Sequence, residues 1–175
     1  MQQVTGSNKG VGFAIVKNLC SNFDGDVYLT SRSESRGLAA VEELNKLGLK
    51  PKFHQLDIDD EDSVLKLRDF LKATYGGLDV LVNNAAIAFY DVNMRCTVEE
   101  SVATLRTNFF NTLRAVNILN PILRPHARIV YVSSCYGHLS FIRGTGKAAM
   151  SLKEKLSSPN LTEEGLCELM QSYVE

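Results

Sequence analysis

The sequence predicts an α/β fold, a doubly wound parallel sheet with helices on both faces, and three observations carry that expectation. Short apolar runs alternate with longer stretches of helical period, each run is followed by small or polar residues, and no repeat or linker breaks the rhythm before about residue 135. Strands that alternate with helices need crossover connections, and crossovers lay parallel strands side by side under a cover of helices.

Each element can be justified in order. Only Met1 to Thr5 precedes a glycine-rich loop, so the first strand is short and, with Gln2 and Gln3, more polar than a central strand should be. Val11, Ile15 and Leu19 then recur every four residues, as on one face of a helix. The second strand is Val27-Tyr28-Leu29; after it Leu38, Val41, Leu44 and Leu47 recur every three, and Gly48 stands where a helix would stop. The third strand runs from Phe53 to Leu56 and the fourth is Val80-Leu81-Val82. Val98, Val102, Leu105 and Phe109 mark the next helix, with Thr97 and Glu100 spaced as a capping box and Asn120-Pro121 as its end. A fifth strand is expected from Arg128 to Ser133. Beyond it, glycines and serines surround a weak helical stretch from Ala148 to Leu156. Leu166, Leu169, Met170 and Tyr173 then predict an amphipathic helix, with Glu163 and Glu164 suited to its first turn.

Composition sets the outer bounds. In 175 residues there are 19 cationic and 20 anionic side chains, 45% apolar residues and 22% charged ones. That is globular composition; it excludes a disordered tail, a collagen-like chain and a disulfide-stapled miniprotein. A net charge of −1 gives no electrostatic reason for a nucleic-acid partner. No apolar run approaches the roughly 20 residues of a membrane span, and no apolar segment near the start resembles a secretory signal. Cys20, Cys96, Cys135 and Cys167 lie far apart without a CxxC pair, and His54, His126 and His138 are dispersed, so no metal site and no disulfide framework is expected. A cytoplasmic protein with no membrane partner is the expectation.

The loop Thr5-Gly6-Ser7-Asn8-Lys9-Gly10-Val11-Gly12 lies between the first strand and the first helix. A helix N-terminus offers unpaired N–H groups to a pyrophosphate, and glycines let the backbone approach it. At the end of the second strand, where a binder of NAD carries an acid for the ribose, the chain reads Thr30-Ser31-Arg32, with Arg36 one turn on and Lys9 in the loop itself. A carboxylate repels a 2′-phosphate and an arginine fork matches it, which favours NADP(H) over NAD. The less favoured reading of Arg32 and Arg36 is as solvated residues at a helix start. A methyltransferase with a similar loop is disfavoured by the same arginines.

Five ordered motifs, Thr-Gly-x-x-x-Gly-x-Gly at Thr5, Leu56-Asp57-Ile58-Asp59, Asn83-Asn84-Ala85-Ala86, Asn108-Phe109-Phe110 and Val132-Ser133-Ser134, resemble the short-chain dehydrogenase/reductase family. Within it, Phe53 to Asp60 and Tyr75-Gly76-Gly77-Leu78-Asp79 resemble the NADPH-dependent carbonyl reductases. The resemblance implies a Rossmann-type doubly wound parallel sheet, incomplete after the fifth strand, with residues 1–136 as the NADP-binding domain and 137–175 as an insertion-like helical segment of it. It implies that Gly6, Asn8, Lys9, Gly10, Val11 and Gly12 wrap the pyrophosphate and adenosine ribose, and that Arg32 and Arg36 take the 2′-phosphate. Asp57 and Ile58 would flank adenine, and Asn84 and Ala85 would line the trough. Ser134 would orient the carbonyl oxygen of a small-molecule substrate, and Asn108 would anchor a water in a proton relay. The insertion-like segment makes a monomer the expected state.

Two departures stand out. The family usually has Gly where this chain has Ala86, and its Tyr-x-x-x-Lys proton donor is missing: no tyrosine here is followed four residues later by lysine. The implied cause is truncation before the catalytic helix, and the expected consequence is weak activity and a marginally ordered segment beyond residue 136. An alternative expectation is a catalytically silent protein that binds NADP(H) or a partner subunit.

Overall fold

The computed structural model describes residues 1–89, 95–142 and 144–174. The chain divides into two compact units, Met1–Val132 and Ser133–Glu175. The first holds a five-stranded sheet in the order β3-β2-β1-β4-β5. Its strands are β1 (Gln2–Val4), β2 (Val27–Ser31), β3 (Lys52–Gln55), β4 (Leu78–Asn83) and β5 (Leu123–Tyr131), and every pairing is parallel. Between them run α1 (Gly10–Asn22), α2 (Glu34–Lys46), α3 (Glu61–Tyr75), α4 (Val98–Leu105), a π-helical turn (Arg106–Asn111) and α5 (Thr112–Leu119).

Successive strand side chains point to opposite faces, and two cores form accordingly. Tyr28 and Leu81 pack with Val64, Leu67 and Leu71 of α3 and Val116 and Leu119 of α5. Val27, Leu29 and Val82 pack on the other face with Val16 of α1 and Ala40 and Leu44 of α2. Helices therefore cover both faces, as the alternation of elements predicts.

Several sequence expectations need correction. β1, judged too polar for a central strand, is the middle strand, and Gln3 is fully buried there. Ladders to β2 and β4 satisfy its backbone on both sides, while the Oε1 atoms of Gln2 and Gln3 are buried with no partner among the described residues. The helix faces follow the periodicity only in part: Ile15, Leu19, Val41 and Leu44 pack on the core as expected. Gly12 and Val16 are buried in α1 and Gly37, Ala40 and Leu44 in α2, whereas Val11, Leu38 and Leu47 are exposed. Gly12, Gly37 and Ala40 join Val16 and Leu44 against the sheet, and a search for large apolar side chains passes over these small residues.

The sequence reading also passes over α3, although Asp60 caps its start, accepting from the Asp62 N–H at 3.1 Å, and Gly76 ends it at φ +70°. β5 begins at Leu123 rather than Arg128, because Leu123 pairs with Leu78 before a bulge delays the next pair to Arg128 and Val80. The bulge contains His126 at φ +68°. The capping box of α4 is formed as expected: the Glu100 N–H reaches Thr97 Oγ1 at 3.2 Å and Glu100 Oε2 accepts from the Thr97 N–H at 2.8 Å.

The second unit contains short 3₁₀ turns at Cys135–Gly137 and Leu139–Phe141, then α6 (Lys147–Leu156) and α7 (Glu163–Gln171). Thr162 caps α7 by accepting from the Gly165 N–H at 3.1 Å, with Glu163 and Glu164 in the first turn. Among the described residues no helix is long and apolar enough to cross a membrane.

Candidate functional site

Parallel strands end on one side of the sheet, so the loops after β1, β2, β3 and β4 gather along its carboxyl edge. The strand order reverses between β1 and β4, the point at which open sheets of this kind take their ligands.

The loop after β1 is locked from both sides. Thr5 Oγ1 accepts from the N–H groups of Asn84 (2.9 Å) and Ala85 (2.8 Å), and Asn84 Nδ2 donates to the carbonyls of Thr5 (2.9 Å) and Gly6 (3.0 Å). Ser7, fully buried, donates its N–H to the Thr30 carbonyl (2.8 Å) and accepts from the Thr30 N–H (3.0 Å). Asn84 and Ala85 thus act first on the loop itself. The sequence reading left Thr5 and Ser7 out of the site; their signal is only that of two small hydroxyl residues flanking a glycine.

The glycines serve different ends. A Cβ at Gly6, at φ +58°, would stand 2.9 Å from Ala85 carbons, and one at Gly12 would run into the Asn84 amide. Gly10, at φ +60°, has no atom within 4 Å of such a Cβ, so open space lies at the head of α1. That head is also uncapped: Lys9 makes no side-chain cap and the first turn holds no acid. By contrast α2, α3 and α4 are capped by Ser33, Asp60 and Thr97, each with acidic residues in the first turn. The leading N–H groups of α1 are left for an anion.

Lys9, Arg32 and Arg36 are exposed, and none forms an ion pair among the described residues. Arg32 follows β2, where its carbonyl accepts from Gln55 Nε2 (3.3 Å), and the Arg36 N–H reaches the Ser33 cap (3.5 Å). Asp57 follows β3 with its N–H on Ser63 Oγ (3.0 Å) and its Oδ1 accepting from the Asp59 N–H (3.1 Å). The Ile58 side chain is buried in the core under α3 and α5, so the edge receives its backbone. Asn108 lies in the π turn, where its amide exchanges two hydrogen bonds with the backbone of Ile87, accepting at 2.9 Å and donating at 2.8 Å.

Ser134 belongs to the second unit. Its exposed hydroxyl accepts from the Tyr136 N–H at 3.3 Å and heads the first 3₁₀ turn, 4.0 Å from Cys135 Sγ.

Fixed charge is paired at the opposite, amino-terminal ends of the strands. Lys52 Nζ lies 2.5 Å from Asp26 Oδ2, Tyr75 OH donates to the same oxygen, and Tyr28 OH is 3.0 Å from Tyr75 OH. The Lys52 and Tyr75 hydrogen bonds hold the Asp26 carboxyl below the usual carboxylate range, and Asp26 in turn raises Lys52. Burial pushes the Tyr28 phenol up. The terminal amine of Met1 and the Arg124 guanidinium lower Asp79 in the same way. Lys52 and Arg124 are thus paired with acids at these ends, whereas Lys9, Arg32 and Arg36 at the carboxyl edge form no ion pair among the described residues.

Comparison with known proteins gives consistent relatives. The family model of the short chain dehydrogenases matches residues 2–150. The chain is 49% identical over 172 residues to carbonyl reductase (NADPH) 3 of Mus musculus, covering 98% of this chain and 61% of that protein. It therefore spans about 61% of the length of such curated relatives. Among solved structures, salutaridine reductase from Papaver somniferum superposes with a TM-score of 0.87 at 31% identity, covering 99% of this chain and 69% of the other. A short chain dehydrogenase from Burkholderia cenocepacia J2315, solved in complex with NADP, gives 0.66 at 28% identity over 98% of this chain and 65% of its own.

Proposed function

The chain belongs to the short-chain dehydrogenase family, and on that premise we propose that its carboxyl edge holds NADP(H) in a carbonyl reductase-type oxidoreductase acting on aldehydes, ketones or quinones. The observation that carries the reading is the uncapped start of α1 at Gly10, with open space before it and three cations at the same sheet edge that form no ion pair among the described residues. These residues fit the cofactor. Gly10 leaves the N–H groups free for the pyrophosphate, Gly6 and Gly12 let the loop close on Asn84 and Ala85, and Asn8 and Val11 complete its wrap. Lys9, Arg32 and Arg36 supply the charge for a 2′-phosphate, and Asp57 with the Ile58 backbone stands on the adenine side.

When bound, NADPH supplies a hydride for the carbonyl carbon of a small-molecule substrate. By resemblance to the family, the Ser134 hydroxyl would supply the hydrogen bond that an oxyanion-binding donor makes. Asn108 spends both ends of its amide on Ile87, so it positions the loop after β4, and a relay water would be held by its main chain. No Tyr-x-x-x-Lys stands within these 175 residues, and general acid catalysis by such a residue is worth on the order of 10²–10⁴ in rate where it acts. A second reading is a protein that binds NADP(H) without turning it over. Four free thiols support a reducing, cytoplasmic setting, the insertion-like segment supports a monomer, and a net charge of −1 gives no electrostatic reason for a nucleic-acid partner.

Fluorescence titration with NADPH and NADH tests the cofactor reading: NADPH saturates the protein and NADH binds at least about tenfold more weakly, the 2′-phosphate being worth one or two charge-assisted bonds. No saturable NADPH binding would end it. Oxidation of NADPH by an aromatic aldehyde then separates the two readings, since only the oxidoreductase turns over.

A further inference from the structure

The π turn and α5 carry Asn108, Asn111 and Arg114 at three-residue spacing, and all three reach loops at the carboxyl edge. Asn108 fastens Ile87 after β4. Asn111 Nδ2, on a buried side chain, donates to Asp59 Oδ1 at 2.7 Å. Arg114 Nη2 donates to the carbonyls of Ile58 (3.2 Å) and Asp59 (3.0 Å), while Nη1 lies 3.9 Å from Glu61 Oε2.

The turn these two side chains grip needs such partners. Asp57, Asp59, Asp60, Glu61 and Asp62 crowd five acids into six positions, and two successive carbonyls face the same guanidinium. Like charges and aligned carbonyls repel, so the turn opens unless a cation and an amide donor meet them. The turn's other bonds are local: Asp57 to Ser63, Asp59 and Asp60 back to Asp57. The Arg114 Nε is buried without a partner among the described residues, so the guanidinium is placed to suit the two carbonyls and not its own full pairing.

We propose that Asn111 and Arg114 are positioning residues for the adenosine half of the cofactor trough. They hold the turn between β3 and α3 in the shape that sets Asp57 and the Ile58 backbone beside adenine. Because Asn108 fastens the loop after β4 from the same helical segment, both halves of the trough rest on one scaffold. The inference rests on the NADP(H) reading above.

Calorimetric titration with adenosine 2′,5′-bisphosphate, which has the adenine and both phosphates but no nicotinamide, tests it on the 175-residue chain. Arg114→Met should weaken binding about tenfold, the effect of losing one charged hydrogen-bonding group. Arg114→Lys should restore it, because a single nitrogen makes both carbonyl contacts and an ammonium can take that place. Asn111→Ala, which removes only the bond to Asp59, should weaken binding as well and serves where Arg114→Met fails to fold. Affinities within twofold of the unaltered chain for both Arg114→Met and Asn111→Ala would overturn the proposal. So would a loss that Arg114→Lys does not rescue and that follows a lowered melting midpoint, the mark of a structural role. If the unaltered chain binds no bisphosphate, the cofactor reading itself fails and takes this inference with it.

Discussion

At the scale of residues, the three loop glycines make separable predictions. Gly10 needs its positive φ but meets nothing where a Cβ would stand, so Gly10→Ala should cost only about 1–2 kcal/mol of stability. The same methyl occupies the space assigned to phosphate, so NADPH affinity should fall far more than stability does. Gly12→Ala drives a methyl into Asn84 and Ser7 and should lower stability by about 1–3 kcal/mol as well as affinity. Urea midpoints paired with NADPH titrations distinguish the two; equal effects on both quantities in the two variants would contradict the assignment. The glycines and cations proposed for the site can be named from sequence because their residue types carry that chemistry. Thr5, Ser7, Asn111 and Arg114 cannot, because they act on backbone groups of distant segments, and no local spacing records such a partner.

At the scale of elements, what could be read depended on how each element declares itself. The capping box of α4 and the glycine after α2 are chemical signals at fixed offsets, and both appear where the sequence puts them. The faces of α1 and α2 are legible at Ile15, Leu19, Val41 and Leu44 but not at Gly12, Gly37 and Ala40, whose small side chains carry no apolar signal, and the position of β1 between two ladders outweighs the polarity of its two glutamines. The π turn follows a helix of unbroken apolar period and gave no sign of itself. A pH prediction belongs here too. Asp26 has a lowered pKa in the fold, so its contribution is present above its unfolded value of about 3.9 and is lost as pH falls through the lower folded one. Lys52 has a raised pKa, so its contribution is present below about 10.4 and is lost as pH rises through the higher folded one. Asp26→Asn should therefore lower the urea midpoint at neutral pH and lower it by less near pH 2, below the unfolded value at which the contribution of the Asp26 carboxylate begins to fade. Both side chains are well exposed, so the effect is small. A midpoint lowered equally at both pH values would contradict the ion pair.

For the whole molecule, the sheet has β3 and β5 as its outer strands, and β5 shows Val130 at its surface, with Tyr131 and Val132 exposed beside it. An exposed apolar edge is a template for strand pairing between molecules. Val130→Lys should reduce light scattering on heating while leaving NADPH affinity unchanged; scattering that persists undiminished would place the association elsewhere.

The three cations of the carboxyl edge decide the central claim most directly. NADPH dissociation constants should be measured for the unaltered chain and for a variant carrying Lys9→Glu, Arg32→Glu and Arg36→Glu, with melting midpoints as the control for folding. The expected result is saturable binding that weakens about 100-fold or more in the variant, as befits replacing charge-assisted bonds by repulsion. Equal affinities in two folded proteins would contradict a 2′-phosphate at this edge.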